Sequence, residues 1–300
     1  MSDTAVLRRS VRGGLLSMSH RLRMMLSSPE RRVRWYYSLY EPEHFPTERS
    51  MYVNLGFWEP GCDNLDDACE ALADRLADAA GMTEGDRVLD AGFGYADQDM
   101  HWAETRNVRQ IVGLNITPKQ VEAARARVRE RGLADRIDLR VASATDMPFD
   151  DGVFDRVVAL ESAFHFDTRR AFFREAFRVL RPGGVLATAD VVPLRVSGAK
   201  TKQEKLEERG RRFVVPADNW HTREKYEERL VKTGFTDVTM RTITDQVYKP
   251  LLAYMNRHFE ELNSRGPVDP ARHNVLWRHI KAIEGYIRDT DYVLVSARKP

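Results

Sequence analysis

Three hundred residues are enough for two domains of about 150 residues, or for one enlarged α/β domain. At 42% hydrophobic and 31% charged the chain has a globular rather than a disordered composition, and its net charge of +2 argues against a dedicated nucleic-acid protein. No apolar run approaches the roughly 18 residues of a membrane span, and the two cysteines, Cys62 and Cys69, cannot form a disulfide framework. The simplest setting is a reducing cytoplasm, with both thiols packed rather than reactive.

The near-neutral total hides an uneven distribution, because residues 1–40 hold eight Arg against only Asp3 and Glu30. This Arg- and Ser-containing arm superficially matches an organelle transit peptide. Ser28-Pro29-Glu30 reads as a helix start, and Val33, Tyr36, Tyr37 and Tyr40 then recur at helical spacing. The expectation is a helix over 29–40, packed on the main domain as a lid over its ligand. A solvated basic helix and a surface for anionic ligands or membranes are the competing readings. A Pro- and Glu-rich turn at 41–48 separates the arm from the body.

From residue 65 the pattern alternates between helix and strand periods. Leu65, Ala68, Cys69, Leu72, Leu76 and Ala79 make one helical stripe, capped by Asp63 or Asn64 and closed by Gly81. Strands are expected at 87–92, 110–115, 137–142, 154–161 and 185–192, with helices after the first, the second and, at 168–180, the fourth. Such alternation specifies an α/β fold with a mostly parallel sheet and helices on both faces. Ligands of such sheets bind outside the carboxyl ends of the strands.

At the first strand end stands Asp90-Ala91-Gly92-Phe93-Gly94-Tyr95-Ala96. Its two glycines permit close backbone approach, but Asp97 occupies the third glycine position of a dinucleotide fingerprint, and Asp97 and Asp99 would repel a diphosphate. No P-loop sequence is present. An acidic strand end before the turn suits a cationic amino-acid ligand better.

VLDAGFGYA, IVGLNITPKQVEAARARV, SATDMPFDDGVFDRVVALES and FREAFRVLRPGGVLATADVV resemble, in order, the motifs of class I S-adenosylmethionine-dependent methyltransferases. VNLGFWEPG, LESAFHF, PADNWHTREKYEERLVKTGFTDV and the terminal VLVSARKP are similar to the erythromycin O-methyltransferase family, whose members methylate a hydroxyl on a macrolide sugar. Segments 195–214 and 246–288 look less similar. The resemblance implies a Rossmann-like seven-stranded methyltransferase domain over 51–300. It also implies a helical arm over 1–50, lid segments near 195–220 and 246–288, and S-adenosyl-L-methionine as cofactor.

Carried over position by position, the resemblance places Asp90, Gly92 and Gly94 around the methionine part of the cofactor. Ala96 replaces the third glycine. Gln98 either reaches the cofactor carboxylate or is a plain helical residue. Asn115, where the family has an acidic residue, would accept from the ribose, and Ile116 would pack on adenine. Ser143 and Ala144 stand where the family often has Asp beside the adenine amine; Asp146 is a second-best partner or a loop cap. Glu161, Ser162 and His165 sit at the site mouth, with Glu161 also on the cofactor side. His165 is the expected general base and Asp190, at the end of the fifth strand, its orienting partner.

No metal is expected, since the histidines occupy separate elements and show no ligand spacing. Aromatics in the tail (Tyr248, Tyr254, Phe259, Trp277 and Tyr286) read as helix faces covering the sheet edge. The partner is a small-molecule acceptor, not nucleic acid, and the chain is compatible with a homo-oligomer. The expected reaction is methylation of a hydroxyl on a hydrophobic, sugar-bearing or plain, secondary metabolite. The alternative is C-methylation of a prenyl diphosphate or lipid, with Glu161 as base and Arg169, Arg170 or arm arginines meeting phosphate.

Overall fold

A computed structural model describes residues 26–38, 47–195, 213–264 and 270–300. The outer arm, residues 39–46 and residues 196–212 lie outside the described residues. Seven strands form one sheet in the order β3-β2-β1-β4-β5-β7-β6. They are β1 (Arg87–Ala91), β2 (Gln110–Asn115), β3 (Ile137–Val141), β4 (Phe154–Leu160), β5 (Leu180–Pro193), β6 (Thr236–Thr242) and β7 (Thr290–Arg298). The first five are parallel; β7 runs antiparallel to both β5 and β6. The sequence expectation of a Rossmann-like seven-stranded fold holds.

Alternation along the strands divides the interior in two. Val88, Ile111 and Val158 face one core with α2 (Leu65–Ala80), while Leu89, Val112 and Val157 face the other with α5 (Arg169–Val179). Both faces of the central strands β1, β2 and β4 are therefore largely dry, as the continuous apolar runs in β1 and β4 require, whereas the edge strand β3 is half-buried and ends in the exposed Val141. Asn64 caps α2 by accepting from the Asp67 N–H at 2.9 Å, and Gly81 ends it in the left-handed region at φ +61°. Cys69 is wholly buried in this helix.

β5 starts earlier than expected. It begins at Leu180, which pairs with Phe154, and carries the Pro182-Gly183-Gly184 turn signal inside the strand. Arg181–Gly184 forms an exposed irregularity in the β4–β5 register, with Gly183 at φ +80° and its N–H donating to Lys299 O beside the β7 terminus.

The order reverses beside β1, whose neighbours are β2 and β4. The carboxyl ends of these three strands open the crevice where ligands of such sheets bind. Three further pieces close over it: α1 (Pro29–Ser38), the stretch at Val214 and Val215, and the pair α7 (Thr244–Ser264) and α8 (Pro270–Asp289). The remaining helices are α3 (Asp97–Thr105), α4 (Pro118–Glu130) and α6 (Arg223–Thr233). Among the described residues no helix is long and apolar enough to cross a membrane.

Candidate active site

One cavity of about 300 Å³ runs from the glycine turn after β1 to the underside of α1, α7 and α8. Its floor is backbone. Gly92 has φ +93°, and a Cβ there would lie 2.4 Å from the Ser162 Cβ, so the turn accepts only glycine. Ser162 is fixed in turn by donating to Ala91 O at 2.5 Å. Gly94 follows at φ +59°, and Ala96, at φ +65°, takes the left-handed conformation normally left to glycine while buried at the start of α3. The methyl that replaces the family's third glycine is thus accommodated in the helix packing rather than in the cavity.

Asn115, Ile116, Ser143 and Ala144 all line the cavity, as do Gln98 and Glu161. Asn115 is committed to the protein on both sides: its Oδ1 accepts from Thr117 N–H at 3.0 Å, and its Nδ2 donates to Gln120 and to Gly94 O. Ser143 bonds Thr145 at 3.0 Å, and Asp146 is exposed and off the cavity wall. Gln98 is buried, not a plain surface residue, and donates to Asp90 Oδ2 at 2.9 Å.

Asp90 lies behind Gln98 and is not itself part of the cavity lining. Its Oδ1 and both oxygens of Asp99 are buried without any other partner among the described residues. Burial pushes the Asp90 carboxyl up to about 7, and burial together with the Asp90 charge holds Asp99 well above the ordinary carboxylate range. Two carboxyls so placed do not both ionise, and a proton kept on Asp99 and donated to Asp90 satisfies the pair. Asp97 is instead anchored by the Arg127 guanidinium at 2.5 and 2.7 Å.

Glu161 follows β4 at φ +48°. Its two protein hydrogen bonds among the described residues, from Leu55 N–H and Tyr292 O–H at 2.7 Å each, both end on Oε1. Burial pushes its carboxyl up to about 7 against these two donors. A partly protonated carboxyl on the wall beside the glycine turn is a receptor for positive charge.

His165 lies in the 3-10 turn Ala163–His165 and lines the same cavity. Its Nδ1 is 2.8 Å from Val214 O, an atom that can only accept, so the proton sits on Nδ1. Nε2 then carries the lone pair and accepts the Tyr37 O–H at 2.8 Å. Burial and the nearby Arg169 charge lower the imidazole to about 4, so the ring is neutral at physiological pH. Tyr37 comes from α1, which fixes itself to the body by Arg32 Nε to Phe213 O at 2.8 Å and by Trp35 edge-on to Phe213.

The expected His165–Asp190 pair is not formed. Asp190 is fully buried away from the cavity and grips Arg169 with both oxygens at 2.9 Å, while Tyr226 O–H adds a third contact at 3.1 Å. The strongest cation in reach claims the carboxylate, and a neutral imidazole cannot compete. For the same reason Arg169 is not available for a phosphate. A basic first turn in α5, set against its own helix dipole, was the sequence signal that such an arginine had an acidic partner elsewhere. Sequence reasoning also missed Tyr37 as a partner of His165, Val214 as the atom that sets its tautomer, and Arg127 beneath Asp97.

The glycine cradle, the continuous wall from Gly92 to Ala144 and the raised carboxyl of Glu161 fit S-adenosylmethionine, with its cationic methionine end and flat adenine. Among the described residues no group of three or more His, Cys, Asp or Glu is placed to hold a metal ion.

Comparison with known proteins agrees with this geometry. A methyltransferase-domain family profile (Methyltransf_11) matches residues 89–188. The chain is 39% identical to erythromycin 3''-O-methyltransferase of Saccharopolyspora erythraea, over 91% of each protein. It is 31% identical to 27-O-demethylrifamycin SV methyltransferase of Amycolatopsis mediterranei, over 83% of this chain and 90% of that one. Among solved structures it overlays the cyclopropane synthase MmaA2 of Mycobacterium tuberculosis with TM-score 0.74, at 20% identity, over 91% of this chain and 99% of the other. The chain belongs to the class I S-adenosylmethionine-dependent methyltransferases, within the group of O-methyltransferases that act in natural-product chemistry.

Proposed function

We propose that this enzyme methylates a hydroxyl group of a small, largely apolar secondary metabolite, with or without a sugar, and that His165 Nε2 takes the hydroxyl proton. The single observation that carries the reading is the Tyr37 hydroxyl docked on Nε2 at 2.8 Å. The ring's other nitrogen is tied to a carbonyl, so Nε2 is held as a proton acceptor, and an O–H donor already rests against it.

S-adenosylmethionine supplies an already activated sulfonium methyl group. Gly92 and Gly94 would make room for its methionine part, Glu161 would face its positive charge, the remaining lone pair of Asn115 Oδ1 would accept from the ribose and Ile116 would pack on the adenine. Gln98, held by Asp90, is the group poised for the cofactor carboxylate. His165 does not need a high basicity. As an alcohol oxygen forms a new bond to carbon its proton becomes strongly acidic, and a neutral imidazole at hydrogen-bond distance suffices to receive it. Holding the acceptor oxygen in line accounts for much of the remaining acceleration.

The acceptor end is walled by Val33, Tyr36, Leu251, Met255, Ile283 and Tyr286, with no Arg or Lys among the described lining residues. An uncharged, apolar acceptor matches such a wall, whereas a diphosphate needs cations there. The arm helix α1 belongs to this acceptor wall, beside a methyltransferase domain over the rest of the chain. The test is transfer from methyl-labelled cofactor to a panel of macrolide and polyketide glycosides and aglycones bearing free hydroxyls. The expected product shows a new methoxyl resonance. A new C-methyl resonance, or labelling of prenyl diphosphate instead, would overturn the reading.

A further inference from the structure

The base at His165 is carried by two pieces of chain. The ring hangs from the turn 163–165, and the carbonyl that sets its tautomer belongs to Val214, 49 residues further on. Nothing local in the sequence keeps these two pieces in register. One side chain does so. Asn219, wholly buried, donates from Nδ2 to Phe164 O at 3.1 Å and to Phe166 O at 2.7 Å, the carbonyls on either side of His165. Asn219 stands five residues after Val214, in the turn Ala217–Asn219 whose Asn219 N–H closes on Pro216 O. Its amide therefore bridges the carrier of the imidazole to the carrier of the carbonyl that orients it.

The bridge is itself anchored to the sheet. Asn219 Oδ1 accepts the Arg169 N–H at 2.8 Å, and the Arg169 guanidinium donates to Asn219 O. That guanidinium is held by Asp190 and by Val191 O at 2.7 Å, on β5. A run of buried contacts thus leads from Asp190 through Arg169 and Asn219 to the backbone around His165. Every hydrogen-bonding atom of the Asn219 side chain is used, and a carboxamide alone offers two donors to carbonyls together with an acceptor for an N–H.

We infer that Asn219 is a positioning residue for the His165 base, clamping both flanking carbonyls so that Val214 O meets Nδ1 and Nε2 is presented to the acceptor hydroxyl, with Arg169 and Asp190 as its anchor. Asp190 then supports the base through two intermediaries rather than by touching it. The inference rests on the proposed role of His165 for its catalytic consequence, but not for its geometric one.

Asn219→Asp is the isosteric test, since it keeps the acceptor for the Arg169 N–H and replaces the one nitrogen that donates to both carbonyls by an oxygen facing them. Asn219→Ser, which removes the bridge without adding charge, is the second variant should the first fail to fold. Ring ¹⁵N resonances of His165 in the whole enzyme are expected to show one fixed Nδ1–H tautomer in the wild type and an exchanging mixture in the variant. Methyl-transfer kcat is expected to fall about 10- to 100-fold, the scale of a sub-ångström to ångström misplacement, with cofactor Kd within about twofold. In a His165→Ala background the same substitution is expected to add no further loss, because the two act as one unit. Unchanged His165 resonances would overturn the inference whatever the activity, as would a multiplicative loss in the double variant. A His165→Ala enzyme turning over at the wild-type rate would overturn the base assignment alone, and the ring resonances would still decide the role of Asn219.

Discussion

The two ends of the cavity are built by different means. The cofactor end is made of backbone turns that directly follow β1, β2, β3 and β4, each within a few residues of its strand. The acceptor end is made of side chains that meet only in the fold: Tyr37 and His165 are 128 positions apart, and Asn219 reaches Phe164 across 55. The first kind of site is specified by local steric demands and tolerates little change. The second depends on long-range packing, and there a lid, a clamp and a wall can change without disturbing the sheet.

Substitutions at the two ends should break in correspondingly different ways. At the cofactor end, Gly92→Ala drives a Cβ to 2.4 Å from Ser162 in a left-handed turn, and cofactor affinity by calorimetry is expected to fall by about 100-fold or the protein to lose about 2–3 kcal/mol in denaturant unfolding. Asp190→Asn, beneath the acceptor end, leaves Arg169 buried without its counter-charge. The expected cost is about 3–5 kcal/mol in the same unfolding experiment, with cofactor Kd unchanged in protein that remains folded.

Glu161 joins the two ends, and its prediction is one of pH. Its carboxyl is pushed up to about 7, so binding of a cationic ligand must expel a proton at lower pH. Cofactor affinity is expected to rise about tenfold per unit as pH climbs from 5 toward 7, then to level off, and Glu161→Gln should flatten the curve. The same raised value makes Glu161 favour the fold below its unfolded value and lose that contribution as pH rises through 7. His165 has the opposite sign. Lowered to about 4, it contributes stability above its unfolded value of 6.5 that is lost as pH falls toward 4.

The smallest effect belongs to the lid. Tyr37→Phe removes the hydroxyl that occupies Nε2 and frees one hydrogen bond, worth about 1 kcal/mol, for the acceptor. The acceptor KM is expected to fall up to about fivefold with kcat nearly unchanged; a large loss of kcat would instead make Tyr37 part of the proton path.

This contrast also explains what the sequence disclosed. The glycine turn and the five parallel strands were readable because strand periodicity and short motifs determine them locally, and the resemblance then pointed to Asn115, Ile116, Ser143 and Ala144 at the strand ends, with Gln98 left open. The helix expected over 29–40 from Ser28, Pro29 and its apolar spacing is found over Pro29–Ser38, with Tyr40 outside the described residues. Its function was not readable, since spacing gives a face but not the partner that face will meet. The pairing expected between Asp190 and His165 is absent for the same reason. A carboxylate at a strand end could turn toward the cavity or behind the sheet, and only the fold brings Arg169 to claim it.

The most direct measurement of the central claim is single-turnover methyl transfer by His165→Ala, with cofactor Kd measured on the same protein. Removal of the proton acceptor is expected to slow transfer by about 10²- to 10⁴-fold while cofactor Kd stays within about twofold. Transfer at the wild-type rate with intact cofactor binding would contradict it.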